Sequence, residues 1–319
     1  MEAYAEMRAR VVQLFRSEQF KEAAEILQGA LERYPDHLEA NAYNLALCYA
    51  AQGAPGKAIE ALQYGLDRDV WYGVWVFEGP LWQAVRDLPA FAEVDQRNEA
   101  GRLAAQAHAQ PVLNVKLPEG YTAERSWPLF VALHGGRENL ATFQPAWTSD
   151  LLQREFVVVY LQSSQVASMD GFSWMDYDLA LREVQDAVRS VAQDFVVDLD
   201  AVIAGGFSAG GRTTLAMAMD EQGLAMRGFV VLCPPCPDGW AEGVATVAAK
   251  RLRGALLTTE MDPRLGEQKE MVEALQNAGV PVQCVVTPNI GHWYPENLGI
   301  LIDEAIDYIR AKNKTGQHA

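Results

Sequence analysis

The pattern of apolar residues changes character once along this chain, and the second pattern is compatible with few folds. From about residue 109 onward short apolar runs recur at 111–117, 129–133, 156–161, 201–204, 229–232, 255–258 and 282–286. Most are continuously apolar, rich in β-branched residues, and separated by Gly and Pro. Helical patterns fall between several of them, at 179–194, 213–219, 266–278 and 301–311. A strand with no polar face must be covered above and below, which describes a parallel sheet with helices on both faces. Ligands of such sheets bind beyond the carboxyl ends of the strands. Functional residues are therefore expected just after the apolar runs. Before residue 108 the composition is dominated by Ala, Glu, Gln, Leu and Arg, with helical periodicity throughout. The chain thus divides into an all-helical part, 1–107, and an α/β part, 108–319. A length of 319 residues suits two domains, and a hydrophobic content of 50% supplies their cores.

The helical part contains an internal repeat. Phe20–Leu31 aligns with Pro55–Leu66 at an offset of 35 residues, so that Ala23 meets Ala58, Glu25 meets Glu60, Leu27 meets Leu62, Gln28 meets Gln63 and Leu31 meets Leu66. Each unit reads as two amphipathic helices joined by a short turn. The alanines let paired helices approach and the leucines fill the groove between them. Together with Tyr34-Pro35-Asp36 and Ala42-Tyr43-Asn44-Leu45-Ala46, this pattern resembles tetratricopeptide repeats over residues 4–70. The segment from Leu81 to Phe91 is similar to the closing piece that follows such repeats. Two repeats make a short array, so packing against the neighbouring domain is expected ahead of a free-standing peptide groove. A protein partner or a second copy of the chain, bound through these repeats, is a further expectation.

The strongest chemical signal is Gly205-Gly206-Phe207-Ser208-Ala209-Gly210-Gly211, a G-x-S-x-G between a strand-like run and a helix-like run. A sharp strand-to-helix turn presents the serine hydroxyl, and side chains at Gly206 and Gly210 would collide. The helix that follows directs its positive end at the site. A serine hydroxyl needs an adjacent base. Of five histidines, His37 lies in the repeats, His108 precedes the first strand and His318 is the last residue but one, leaving His134 and His292. Both follow apolar runs.

Leu133-His134-Gly135-Gly136, Gly206-Phe207-Ser208-Ala209-Gly210-Gly211, Asp262-Pro263 and Gly291-His292 together resemble the α/β-hydrolase superfamily over residues 109–311. The likeness is to small esterases of the phospholipase/carboxylesterase and dienelactone-hydrolase-like groups. Asp198-Leu199-Asp200 before the nucleophile run also looks like that family, and Phe172-Ser173-Trp174 occupies the place of a loop at the pocket rim. Dienelactone hydrolases proper use cysteine as nucleophile, and the family's common Gln after the nucleophile is Ala209 here. The resemblance implies a catalytic order of Ser208, an acid, then His292 after the last strand. Asp262 is the expected acid, with Glu260 in reserve and Asp238 third. Asp262-Pro263 would also serve as an ordinary turn. The oxyanion donors implied are the N–H groups of Ala209 and of Gly136, with Arg137 as the alternative to Gly136. His134 then holds its loop. Phe143, Trp147, Trp174, Met175 and Trp293 are expected near the strand ends. Trp147, Trp174 and Trp293 are the substrate-binding candidates, against an alternative of packing between the two domains. The helical repeats are also expected to be able to cover the site. The expected activity is cofactor-free and metal-free hydrolysis of carboxylic esters with small to medium acyl groups. Thioesterase or peptidase chemistry on the same triad is the alternative, as is an interaction scaffold with a vestigial hydrolase domain.

A formal net charge of −16 argues against nucleic acid and anionic membranes as partners, and favours simple solubility over a cationic substrate or basic partner. No basic leader with an apolar run opens the sequence, so a cytoplasmic location is expected. Cys233-Pro234-Pro235-Cys236 has C-x-x-C spacing, but no second pair exists to complete a zinc ribbon. Reduced structural thiols are the expectation for all four cysteines.

Overall fold

The computed structural model describes residues 3–311. His318 lies outside them. The chain forms two compact units, one of residues up to Ala109 together with Val166–Met169, the other of Gln110–Gln165 and the chain from Asp170 onward. A cut in the sequence near residue 108 carries no trace of the excursion at Val166–Met169. That segment joins the helical unit, where its Ala167 carbonyl accepts the Val74 N–H at 2.9 Å.

The first unit is all helical: α1 (Tyr4–Arg16), α2 (Phe20–Arg33), α3 (Leu38–Ala51), α4 (Pro55–Leu66), the short α5 (Gln83–Arg86) and α6 (Phe91–Gln106). The repeat offset is structural, since α2 opens at Phe20 and α4 at Pro55. Pro55 occupies the first turn, where its missing N–H removes no helical bond. The paired positions Ala23 and Ala58, Leu27 and Leu62, and Leu31 and Leu66 are all buried in one core, with Ala42 and Ala46 of α3 between them. The loop after α4 adds Tyr72, Phe77 and Trp82 to that core. The Tyr72 N–H is held by the buried Asn98 side chain of α6 at 2.6 Å.

The second unit follows as β1 (Val112–Lys116), β2 (Trp127–Leu133), α7 (Leu140–Ala146), α8 (Asp150–Glu155), β3 (Val157–Gln162), β5 (Gly171–Phe172), α9 (Tyr177–Asp194), β6 (Val197–Phe207), α10 (Ala209–Met219), β7 (Gly228–Leu232), α11 (Trp240–Ala249), β8 (Arg253–Thr259), α12 (Leu265–Asn277), β9 (Val282–Thr287) and α13 (Leu298–Arg310), while β4 (Val166–Ser168) lies in the segment that belongs to the first unit. Seven strands form one sheet in the order β1-β3-β2-β6-β7-β8-β9, parallel except for the antiparallel edge strand β1. All seven strands coincide with the apolar runs of the sequence. Side chains alternate across the sheet as the strand period of two requires. Phe130 and Ala132 face a core built with α7, α8 and α13, while Leu129, Val131 and Leu133 face one built with α9. The later strands turn Phe229, Val231 and Leu256 toward α10, α11 and α12. Helices thus cover both faces, and this is the α/β-hydrolase fold preceded in the chain by an all-α region. Helix starts are marked by caps: Asn139 accepts the Thr142 N–H, Ser149 that of Leu152 and Asp176 that of Leu179. No helix among the described residues is long and apolar enough to cross a membrane.

Candidate active site

The carboxyl ends of β2, β6, β7, β8 and β9 gather five loops, and backbone strain gathers with them. Ser208 has φ +49° and ψ −113° between β6 and α10. Arg137 after β2, Cys233 after β7 and Asn289 after β9 also have positive φ, at 64°, 48° and 59°. Such conformations cost of order 1–3 kcal/mol each in non-glycine residues and persist only where surroundings enforce them. At Ser208 the enforcement is visible. Its N–H continues the sheet ladder to the Leu232 carbonyl at 2.9 Å, while its carbonyl already accepts the Arg212 N–H of α10 at 2.9 Å. The turn has no room for side chains beside it. A Cβ at Gly206 would lie 2.4 Å from the Leu133 carbonyl oxygen, and one at Gly210 only 2.3 Å from the same atom and 2.5 Å from the His134 carbonyl oxygen.

The Ser208 hydroxyl meets His292 Nε2 at 2.8 Å, and His292 Nδ1 meets Asp262 Oδ2 at 2.7 Å. The sequence-expected serine, histidine and acid are therefore one hydrogen-bonded chain, drawn from the ends of β6, β9 and β8. The Asp262 side chain is fully buried. Burial pushes its carboxyl up, but hydrogen bonds from His292, the Arg264 N–H and the Cys233 thiol outweigh that and hold it below the ordinary carboxylate range. Its two oxygens divide the work. Oδ2 takes the imidazole, and Oδ1 takes the Arg264 N–H at 2.8 Å, so Asp262-Pro263 forms its turn and serves the histidine at once. The other acids lie elsewhere. Glu260 accepts the Asn289 N–H at 2.9 Å, and Asp238 pairs with Arg212 from an almost fully exposed position. The Thr259 hydroxyl donates to the Gly291 carbonyl at 2.8 Å, tying the acid's strand to the histidine's loop.

The loop after β2 supplies the other wall. Its three candidate N–H groups differ in availability. Gly135 donates to Glu138 Oε2 at 2.7 Å and Arg137 to the Phe172 carbonyl at 2.7 Å. Gly136 N–H has no acceptor among the described residues, and neither has Ala209 N–H at the first turn of α10. Between Gly136 and Arg137 the geometry favours Gly136. His134 is buried and neutral, its pKa lowered to about 4 by burial against the opposing pull of the Gly135 carbonyl. Its Nδ1 faces that carbonyl at 2.7 Å and its Nε2 accepts the Ser163 N–H at 3.2 Å, so it fastens this loop to the end of β3.

The aromatic wall differs from expectation. Trp147 is a core residue with no exposed surface, stacked on Phe143 at 5.6 Å, its carbonyl accepting the Tyr160 hydroxyl. Its side chain packs in the core with Phe143, Leu152 and Tyr160 and presents no surface to a substrate. Phe143 is equally buried. Trp174 is nearly buried and donates from Nε1 to the His134 carbonyl at 2.9 Å. It also borders a cavity of about 460 Å³ along the outer side of α10, with Tyr177, Arg212 and Trp240. Trp293 is 62% exposed and Met175 also reaches solvent. Residues that sequence reasoning passed over are Phe207, Cys233, Glu138 and Tyr294. Phe207 stacks obliquely on His292 at 5.1 Å and on Tyr294 at 4.3 Å. The Cys233 thiol, Asp262 carboxylate and His292 ring present donor atoms within 4.8 Å of one another, which is a possible grip for a metal ion. Both ring nitrogens of His292 are already hydrogen-bonded, however, and burial pushes the Cys233 thiol up to about 12, so the set suits proton transfer better than coordination. Cys48, Cys233, Cys236 and Cys284 are free thiols.

Comparison with known proteins agrees with the architecture. The tetratricopeptide repeat family matches residues 14–70. An uncharacterized protein from Bacillus cereus ATCC 10987 is similar at 22% identity, covering 97% of this chain and 99% of its own, with a TM-score of 0.54. A ferulic acid esterase covers 63% of this chain and 98% of its own at 16% identity and a TM-score of 0.50. A Bacillus cereus carboxylesterase covers 65% of this chain and 99% of its own at 17% identity and a TM-score of 0.49. No curated protein matches the sequence.

Proposed function

We propose that this chain is a serine hydrolase acting on carboxylic esters with small to medium acyl groups, with Ser208 as nucleophile. The observation that carries the reading is the continuous chain from Ser208 Oγ through His292 to the buried Asp262 carboxylate, at 2.8 and 2.7 Å. Ser208 Oγ attacks the ester carbonyl while His292 Nε2 takes the hydroxyl proton. Asp262 holds Nδ1–H toward itself and stabilises the imidazolium. The oxyanion is held by the N–H groups of Gly136 and Ala209. His292 returns the proton to the leaving alkoxide, and an alcohol departs from an acyl-Ser208. Water, deprotonated by the same nitrogen, then releases the acid and restores the serine. The fold shared with a ferulic acid esterase supports a hydrolase reading, and thioester or peptide cleavage on the same triad is its alternative. Trp174 and Trp293 are the wall residues retained in this proposal, Trp293 by its exposure beside the histidine. A cytoplasmic setting is part of the proposal and is supported by the four free thiols. A fluorophosphonate probe tests it: the folded protein should be labelled once per chain and Ser208→Ala not at all. Labelling that survives Ser208→Ala would refute the assignment. A p-nitrophenyl ester series would then read the acyl length.

A further inference from the structure

Glu138 stands out among the carboxylates near the strand ends because it is substantially buried and bonded to two loops at once. Its Oε2 accepts the Gly135 N–H at 2.7 Å, within the loop that carries Gly136. Both its oxygens lie within hydrogen-bond distance of the Tyr294 hydroxyl, at 2.9 and 2.8 Å, and Tyr294 is two residues beyond His292. We propose that Glu138 is a positioning residue of the reaction: this one carboxylate ties the oxyanion loop to the histidine loop and so sets the Gly136 N–H and the His292 ring relative to Ser208. The inference rests on the reading of Ser208 as nucleophile.

Three observations support the tie. First, the bonds made by Glu138 and by Phe172 take up the N–H groups on either side of Gly136, those of Gly135 and Arg137, which holds the intervening peptide in one orientation. The Glu138 backbone joins in, since its carbonyl accepts the Phe172 N–H at 2.9 Å. Second, the loops are pressed together at this point. A Cβ at Gly135 would lie 2.7 Å from Glu138 Oε2 and 2.6 Å from Phe207 Cδ1, and Phe207 in turn packs on Tyr294 and precedes Ser208. Third, burial of Glu138 raises its pKa and outweighs the opposing hydrogen bonds from Tyr294 and Gly135 and the charge of His292, so the carboxyl sits in the buried contact between the two loops. Burial and the neighbouring Glu138 charge together raise Tyr294, which therefore stays a donor.

The test uses the full chain with Glu138→Gln, Tyr294→Phe and the double variant. Active sites are counted by fluorophosphonate titration, and kcat and KM for a p-nitrophenyl ester are expressed per titrated site. In Glu138→Gln the amide oxygen can still take the Gly135 N–H and the amide nitrogen can only donate to the Tyr294 oxygen, so a charge-assisted tie is reduced to weaker neutral bonds with little change of shape. The expected result is a fall in kcat per site of about ten- to a hundredfold with KM within about twofold, as for other small displacements of reacting groups. Tyr294→Phe should lose kcat in the same sense. The double variant should be scarcely worse than Glu138→Gln alone, because both changes weaken the same link. A kcat per site within twofold of the wild type in Glu138→Gln would overturn the inference. So would a loss that appears wholly as fewer titratable sites, which is the signature of a purely structural role, or losses that simply multiply in the double variant. Failure of the wild type to label at Ser208 would overturn the underlying reading and this inference with it, and so is distinguishable from the outcomes above.

Discussion

Replacing Asp262 by Asn should abolish most of the activity while keeping the fold, and the structure dictates how. The side chain has two bonded oxygens, Oδ1 receiving the Arg264 N–H at 2.8 Å and Oδ2 receiving the His292 ring at 2.7 Å. The Arg264 N–H can only donate, so the amide oxygen of Asn must occupy the Oδ1 position. The amide NH₂ then faces His292 Nδ1, which must become the acceptor. The ring proton moves to Nε2 and points at the Ser208 hydroxyl, 2.8 Å away, so no lone pair remains to take the serine proton. Elsewhere a wrong tautomer of this kind lowers kcat by about 10⁴-fold, equivalent to roughly 5 kcal/mol of transition-state stabilisation. Asp262→Asn should therefore lose about four orders of magnitude in kcat for p-nitrophenyl ester hydrolysis. Its thermal unfolding should stay cooperative, and Glu260→Gln should keep kcat within about threefold. A folded Asp262→Asn within tenfold of the wild type, or a Glu260→Gln that falls as far, would refute this tautomer argument.

Other consequences are open to simpler measurements. His134 is held at about 4 instead of its ordinary 6.5, so the folded state binds fewer protons than the unfolded between those values. Stability should be full above pH 6.5 and fall by about 3 kcal/mol as the pH drops through 4, a dependence read by urea titration that His134→Asn should flatten. Gly210→Ala would set a methyl against the Leu133 and His134 carbonyl oxygens at 2.3 and 2.5 Å; it should destabilise by about 1–3 kcal/mol and reduce turnover through the displaced loop. Leu62→Ala, emptying a fully buried position of the helical unit, should lower unfolding stability by about 2–5 kcal/mol in a denaturant titration while leaving active-site titration unchanged.

The elements visible in the sequence are those whose side-chain period leaves no alternative. The central strands β2, β3, β7 and β8 are apolar and buried on both sides, and α9, α10, α12 and α13 bury apolar faces, so local pattern and final burial agree there. The elements that escaped are short or interrupted. α7 carries Pro145, α8 is six residues long, α11 starts after a left-handed Gly239, and β4 and β5 are held by their surroundings instead of by any pattern of their own. In the site the contrast is similar. Ser208 is marked by the glycines its turn demands, whereas His292 and Asp262 are singled out by the resemblance to α/β hydrolases, since His134 and Glu260 also follow strands. Glu138 and Tyr294 have no such mark, since one more acid among 42 Asp and Glu residues attracts no notice until a fold brings a tyrosine to it.

What the residues declare unaided is whatever the backbone or the period enforces locally: a repeat that opens helices at Phe20 and Pro55, a parallel sheet and a strained serine turn. What required the tertiary structure is every choice settled by a partner distant in the chain. Gly136 is favoured over Arg137 because Phe172 takes the Arg137 N–H, and Trp147 leaves the pocket wall because its side chain packs in the core. Glu138 gains a role only when a tyrosine 156 residues further along meets it. Hydrogen bonds and burial between remote segments have no local periodicity, so no stretch of sequence can display them.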